Sequence, residues 1–98
     1  MRVKIAYTVE LEEVENEVAE IMTKAAGDLD DAYHEISGLQ NLIQTKTGDL
    51  DKNLQSIDFA RRKMMRADQI LEDCASILQG YRQAVKQMEE QENETQNG

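Results

Sequence analysis

Four cations crowd into one short stretch of an otherwise acidic chain: Arg61, Arg62, Lys63 and Arg66. Guanidinium forks match paired oxygens, so this cluster suits an anion: a phosphate group, a nucleotide or the acidic surface of a partner protein. The plainer alternative is internal pairing with Asp28, Asp30, Asp31 and Glu35. Carboxylates offer a second chemistry. Glu17 with Glu20, and Asp28 with Asp31, are spaced so that each pair shares one helical face, and paired carboxylates can hold Mg²⁺. Nucleophilic catalysis has little material, with one His, one Cys and no glycine-rich nucleophile turn. His34 reads as an outward, solvated residue, and Cys74 as a small apolar filler. A structural zinc site needs about four nitrogen or sulfur ligands, and these two are the only His or Cys candidates. No catalytic residue, metal site or cofactor is expected.

The carboxylate pairs invite comparison with the all-helical nucleotide pyrophosphohydrolases of the MazG kind, which set Glu-x-x-Glu and Glu-x-x-Asp on two helices. Only seven residues separate Glu20 from Asp28, too few for a helix, a turn and a second helix. The second pair also begins with Asp. A Mg²⁺-dependent hydrolase therefore ranks behind two binding readings.

Whatever these side chains do, helices must position them. Seven-residue steps from Met22 pass through Leu29, Ile36, Ile43, Leu50, Ile57, Met64, Leu71, Leu78 and Val85. A companion series, four residues earlier in each heptad, runs Val18, Ala25, Ala32, Leu39, Lys46, Asn53, Ala60, Ala67, Cys74, Tyr81 and Met88. Only Lys46 and Asn53 interrupt it. A sustained repeat of 3.5 residues buries a narrow seam against other helices. Gly-Asp-Leu-Asp occurs twice, at 27–30 and 48–51, and Gly followed by Asp suits a helix end and the next N-cap. Thr45, Thr47 and the interrupted seam favour the second copy as the reversal, with a kink or short break at Gly27.

The expected architecture is mainly α, within one domain spanning 1–98. Residues 2–9 alternate Val3, Ile5, Tyr7 and Val9 with Arg2, Lys4, Ala6 and Thr8, the pattern of a half-buried strand. A helical arm follows over 13–46, then a long helix over 49–89 and a disordered acidic tail over 90–98. The two helices form an antiparallel, coiled-coil-like hairpin. Charge favours that reversal: 3 basic and 10 acidic groups in residues 1–45 face 6 basic and 3 acidic in residues 46–66. A lone strand has unpaired edges, and Ile70, Ile77 and Ala84 form a second apolar stripe. Both point to a homo-oligomer, for instance two hairpins closing a four-helix bundle with strands paired across it through residues 2–9. In such an oligomer Tyr33, His34 and Tyr81 would line a groove beside the basic cluster.

A net charge of -9 opposes nucleic acid and anionic membranes as partners. There is no apolar run of membrane-spanning length, of about 20 residues, and no secretory leader pattern, so a cytoplasmic protein is expected. The opening Val3-Lys4-Ile5-Ala6-Tyr7-Thr8-Val9-Glu10-Leu11-Glu12-Glu13-Val14, continuing into Glu17-Val18, resembles the start of small accessory proteins encoded by tailed bacteriophages of marine bacteria. That resemblance implies an accessory protein acting inside a bacterial host. The favoured function is a non-catalytic oligomeric interaction protein that binds a host or phage protein. The alternative is a phosphate or nucleotide sponge gripping its ligand with Arg61, Arg62, Lys63 and Arg66 across a subunit interface.

Overall fold

The computed structural model describes the backbone of residues 11–97 and the side chains of residues 11–90. The strand expected over 2–9, and strand pairing between copies, lie outside the described residues. A single 3₁₀ turn at Leu11–Glu13 leads into α1 (Val14–Gln44), and a short connection leads into α2 (Leu50–Asn97). The two helices pack antiparallel as a hairpin. Its extents are 75 × 27 × 15 Å, so the described residues form a single helical layer.

No Pro interrupts either helix. The first turns of α1 carry Glu12, Glu13, Glu15 and Glu17, where negative charge offsets the positive end of the helix dipole. The break expected at Gly27 does not form: α1 runs through it without interruption. Its neighbours Lys24, Ala25 and Ala26 are strong helix formers, and Asp28 is held by an inter-helix pair described below. A lone Gly costs a helix only about 1 kcal/mol, too little to break one anchored on both sides.

The reversal falls where expected, at residues 45–49, and its chemistry is local. Lys46 adopts the left-handed conformation (φ 57°). Its N–H donates to the Ile43 carbonyl at 3.1 Å, and the Thr47 N–H donates to the Leu42 carbonyl at 3.0 Å. This is a Schellman ending, with Lys46 in the place glycine usually takes. Gly48 follows at φ 92°, and an added Cβ there would lie 3.4 Å from Asn53 Oδ1. Asp49 then caps α2, accepting the Asp51 N–H on its side-chain oxygen at 3.3 Å.

The core is narrower than two equal heptad series would give. The buried apolar residues are Val18, Ala25, Ala32, Leu39, Ala60, Ala67 and Cys74. All belong to the companion series, and Asn53 of that series is buried with them. Inter-helix bonds between Asp31 and Lys63 and between Asp28 and Arg66 set a register with Val18 level with Cys74, Ala25 with Ala67, Ala32 with Ala60 and Leu39 with Asn53. Three of these four levels hold at least one residue no larger than Cys, which lets the backbones approach closely. The Met22 series is displaced to one side. Met22, Leu29, Ile36, Ile43, Ile57, Met64 and Leu71 are each 40–54% exposed.

The tail expected to be disordered from residue 90 continues as helix to Asn97. Glu89, Glu90, Gln91, Glu92 and Glu94 form helices readily, although no apolar stripe there asks for a partner. α2 therefore outruns α1: Tyr81 is already level with Glu15, near the start of α1.

Candidate functional site

The antiparallel register brings the basic cluster of α2 against the acidic middle of α1. Arg66 grips Asp28 with both arms of its fork, Nε donating to Oδ2 at 2.8 Å and Nη2 to Oδ1 at 2.9 Å. The Lys63 ammonium lies 3.1 Å from Asp31 Oδ2 and 3.6 Å from Asp28 Oδ1. Asp28 is only 3% exposed, while Lys63 is partly covered and Arg66 stays open to solvent. The hydrogen bond from Arg66, with the nearby Arg66 and Lys63 charges, holds the Asp28 carboxyl below the usual carboxylate range against the opposing effect of burial. The same pair raises the Arg66 guanidinium. Lys63 also sits 5.4 Å from the centre of the Phe59 ring, a cation–π distance.

Of the four expected anion ligands, the structure thus commits Lys63 and Arg66 to internal pairs. Arg62 is bound within its own helix, to Asp58 one turn back. Arg61 differs. It is exposed and makes no ion pair or side-chain hydrogen bond among the described residues. Asp30 turns away from the cations, and His34 lies against it, Nδ1 2.9 Å from the Asp30 carbonyl and 3.5 Å from its carboxylate. The cluster is a register lock more than an open cradle.

The aromatic groove does not assemble within one chain. Tyr33 and His34 stack edge-to-face at 5.5 Å. Tyr81 lies near the open end of the hairpin, its hydroxyl 3.4 Å from Glu15. Burial pushes the Tyr81 phenol up, and the Glu15 charge adds to that. The carboxylate pairs do not converge either: among the described residues no group of three or more His, Cys, Asp and Glu could hold a metal ion.

What the residue types alone did not single out is the face beside the seam. On α1 the residues Met22, Ala26, Leu29, Tyr33, Ile36, Gln40 and Ile43 recur at helical spacing, and none is charged. On α2 the matching positions are Leu50, Leu54, Ile57, Arg61, Met64, Asp68, Leu71, Ala75 and Leu78. In an antiparallel pair, both Met22-type series lean to the same side of the hairpin. Among the described residues fifteen large hydrophobic side chains are 40% or more exposed, ten of them on this face, against seven buried apolar residues, four of them Ala. A shallow apolar depression lined by Ile36, Leu39, Gln40, Ile43 and Gln44 opens on this face. The opposite side carries the inter-helix pairs of Asp28 and Asp31 with Lys63 and Arg66, together with Ile70, Ile77 and Ala84 of the second stripe. The signal was present in the heptads: one series is bulky, the other mostly small, and the small one takes the seam.

No described helix is long and apolar enough to cross a membrane. The chain matches no protein-family model, no curated protein and no solved structure.

Proposed function

We propose that this chain is a non-catalytic interaction protein that works as an assembly, its largely apolar face closing against another helical surface. One observation carries the reading: a continuous stripe from Met22 to Ile43 without a charge, in a chain with 20 acidic and 11 basic residues. Exposed apolar surface of that continuity marks an interaction site, and among the described residues no second layer covers it. The resemblance of the opening segment to phage-encoded proteins supports an accessory role in the host cytoplasm, with a host or phage protein as the assembly's eventual partner. The sponge reading is weaker, because Arg62, Lys63 and Arg66 are already paired.

Light scattering at micromolar concentration tests this. The wild-type chain should have an oligomeric mass. Ile36→Glu with Leu71→Glu, which places charges at exposed positions of both stripes, should give a helical monomer. A strictly monomeric wild-type protein would remove the reading.

A further inference from the structure

This largely apolar face is complementary to itself about one point, and we infer that its occupant is a second copy of this chain, docked antiparallel with the hairpin tips at opposite ends. This deepens the assembly reading above and rests on it. Arg61 and Asp68 give the first reason. Both lie on the outer rim of the face, seven residues apart, both are exposed, and neither makes an ion pair or side-chain hydrogen bond among the described residues. A two-fold axis lying in the interface, across the helices at Met64–Met65, sets Arg61 of each copy against Asp68 of the other.

The same axis accounts for the rest of the face. The intramolecular register that pairs Asp28 with Arg66 and Asp31 with Lys63 puts Met64–Met65 level with Leu29–Asp30. Leu29 is the midpoint of α1 (Val14–Gln44), so this axis also gives the greatest overlap of the paired helices. Along the rim, Leu54 then meets Ala75 of the other copy, and Ala26 meets Tyr33. Each bulky side chain faces a small one, and each cation faces an anion. Along the centre, Met22 meets Ile36, Ile57 meets Leu71, Leu50 meets Leu78, and Leu29 and Met64 each meet their own counterpart. From Met22 to Ile36 on α1 and from Leu50 to Leu78 on α2 these central layers are apolar, and the outermost α1 layer sets Ile43 against Glu15.

The size of the contact agrees with this. The shared length of α1 is about 46 Å and the two-helix face is about 20 Å wide. The pair would therefore cover about 1,800 Å², within the range of stable, specific interfaces. An isologous contact of this kind closes on itself and stops at the dimer.

The test is charge reversal read by sedimentation equilibrium. Arg61→Asp or Asp68→Arg alone sets like charges opposite at two places per dimer and should weaken the dimer about ten-fold. The double exchange should restore it. Circular dichroism of each variant should show unchanged helicity, because neither residue supports the monomer's own pairs. In a Cys74→Ala background, Leu29→Cys should cross-link with a short bis-maleimide. Ile43→Cys should not, because the two tips would be about 40 Å apart. Dimers indifferent to charge reversal, or cross-linked through Ile43→Cys, would overturn this arrangement and leave the assembly reading standing. A monomeric wild-type chain would overturn both.

Discussion

The tetrapeptide Gly-Asp-Leu-Asp occurs at residues 27–30 and again at 48–51, three heptads apart in a single unbroken seven-residue register. In the first copy Gly27 is an ordinary helical residue with nothing within 4 Å of where a Cβ would sit, and Asp28 is a buried ion-pair partner. In the second, Gly48 has positive φ and Asp49 is the cap that starts α2. Identical local chemistry therefore yields helix in one place and reversal in the other. The flanks decide. Ala25 and Ala26 precede the first copy and Arg66 waits opposite it; Thr45, Lys46 and Thr47 precede the second and already end the helix through their own hydrogen bonds.

Placing the same substitution at both copies should sharpen that contrast. The largest difference is expected for Asp→Asn. Asp28→Asn leaves Lys63 and Arg66 facing a neutral side chain in a nearly closed site, and should lower the Tm more than any substitution at Gly27, Gly48 or Asp49. It should also flatten the pH dependence of stability. Because Asp28 titrates below its ordinary value in the folded chain, its contribution is complete above about pH 3.9 and is lost as pH falls from there through the lower folded value. Wild-type melts followed between about pH 5 and pH 2 should show that loss, and Asp28→Asn melts should show less of it. Asp49→Asn should be nearly silent, since Asn caps as well as Asp.

Gly→Ala should give opposite signs. At Gly48 it forces a side chain into the left-handed region, at about 1–2 kcal/mol, and presses on Asn53. At Gly27 it should stabilise by about 0.5–1 kcal/mol through helix propensity. Chemical denaturation of the two variants gives both numbers, and equal signs would mean that the copies are more alike than the structure has them. Asp49→Ala should destabilise by about 1 kcal/mol through the lost cap, visible as a small shift in denaturation midpoint, and the smallest effect of all is expected for Asp49→Asn.

Much of the architecture could be read from residue types. The period of the apolar positions announces two helices, and Lys46, Thr47 and Gly48 announce where they reverse. The partners Lys63 and Arg66 for the acidic middle of α1 follow from charge and hairpin register. Other features depend on information that no local window contains. Gly27 looks like a breaker until Asp28 is known to have a bidentate partner across the hairpin. The two apolar series differ in bulk, but only the close approach of the helices turns that difference into a choice, selecting Ala25, Ala32, Ala60 and Ala67 for the seam and moving Leu29, Ile36 and Met64 outward. Residues 90–97 lack an apolar period, yet their helix propensity carries α2 on. Asp58, one turn before Arg62, already marks its partner in the sequence, whereas the bidentate fit of Arg66 on Asp28 needed the hairpin.

Cys74 sits buried in the seam, 1% exposed and level with Val18. A thiol reagent in water cannot reach its sulfur while the two helices stay together. Its labelling rate is therefore a built-in stopwatch for how often the hairpin yawns open, readable without engineering a reporter residue.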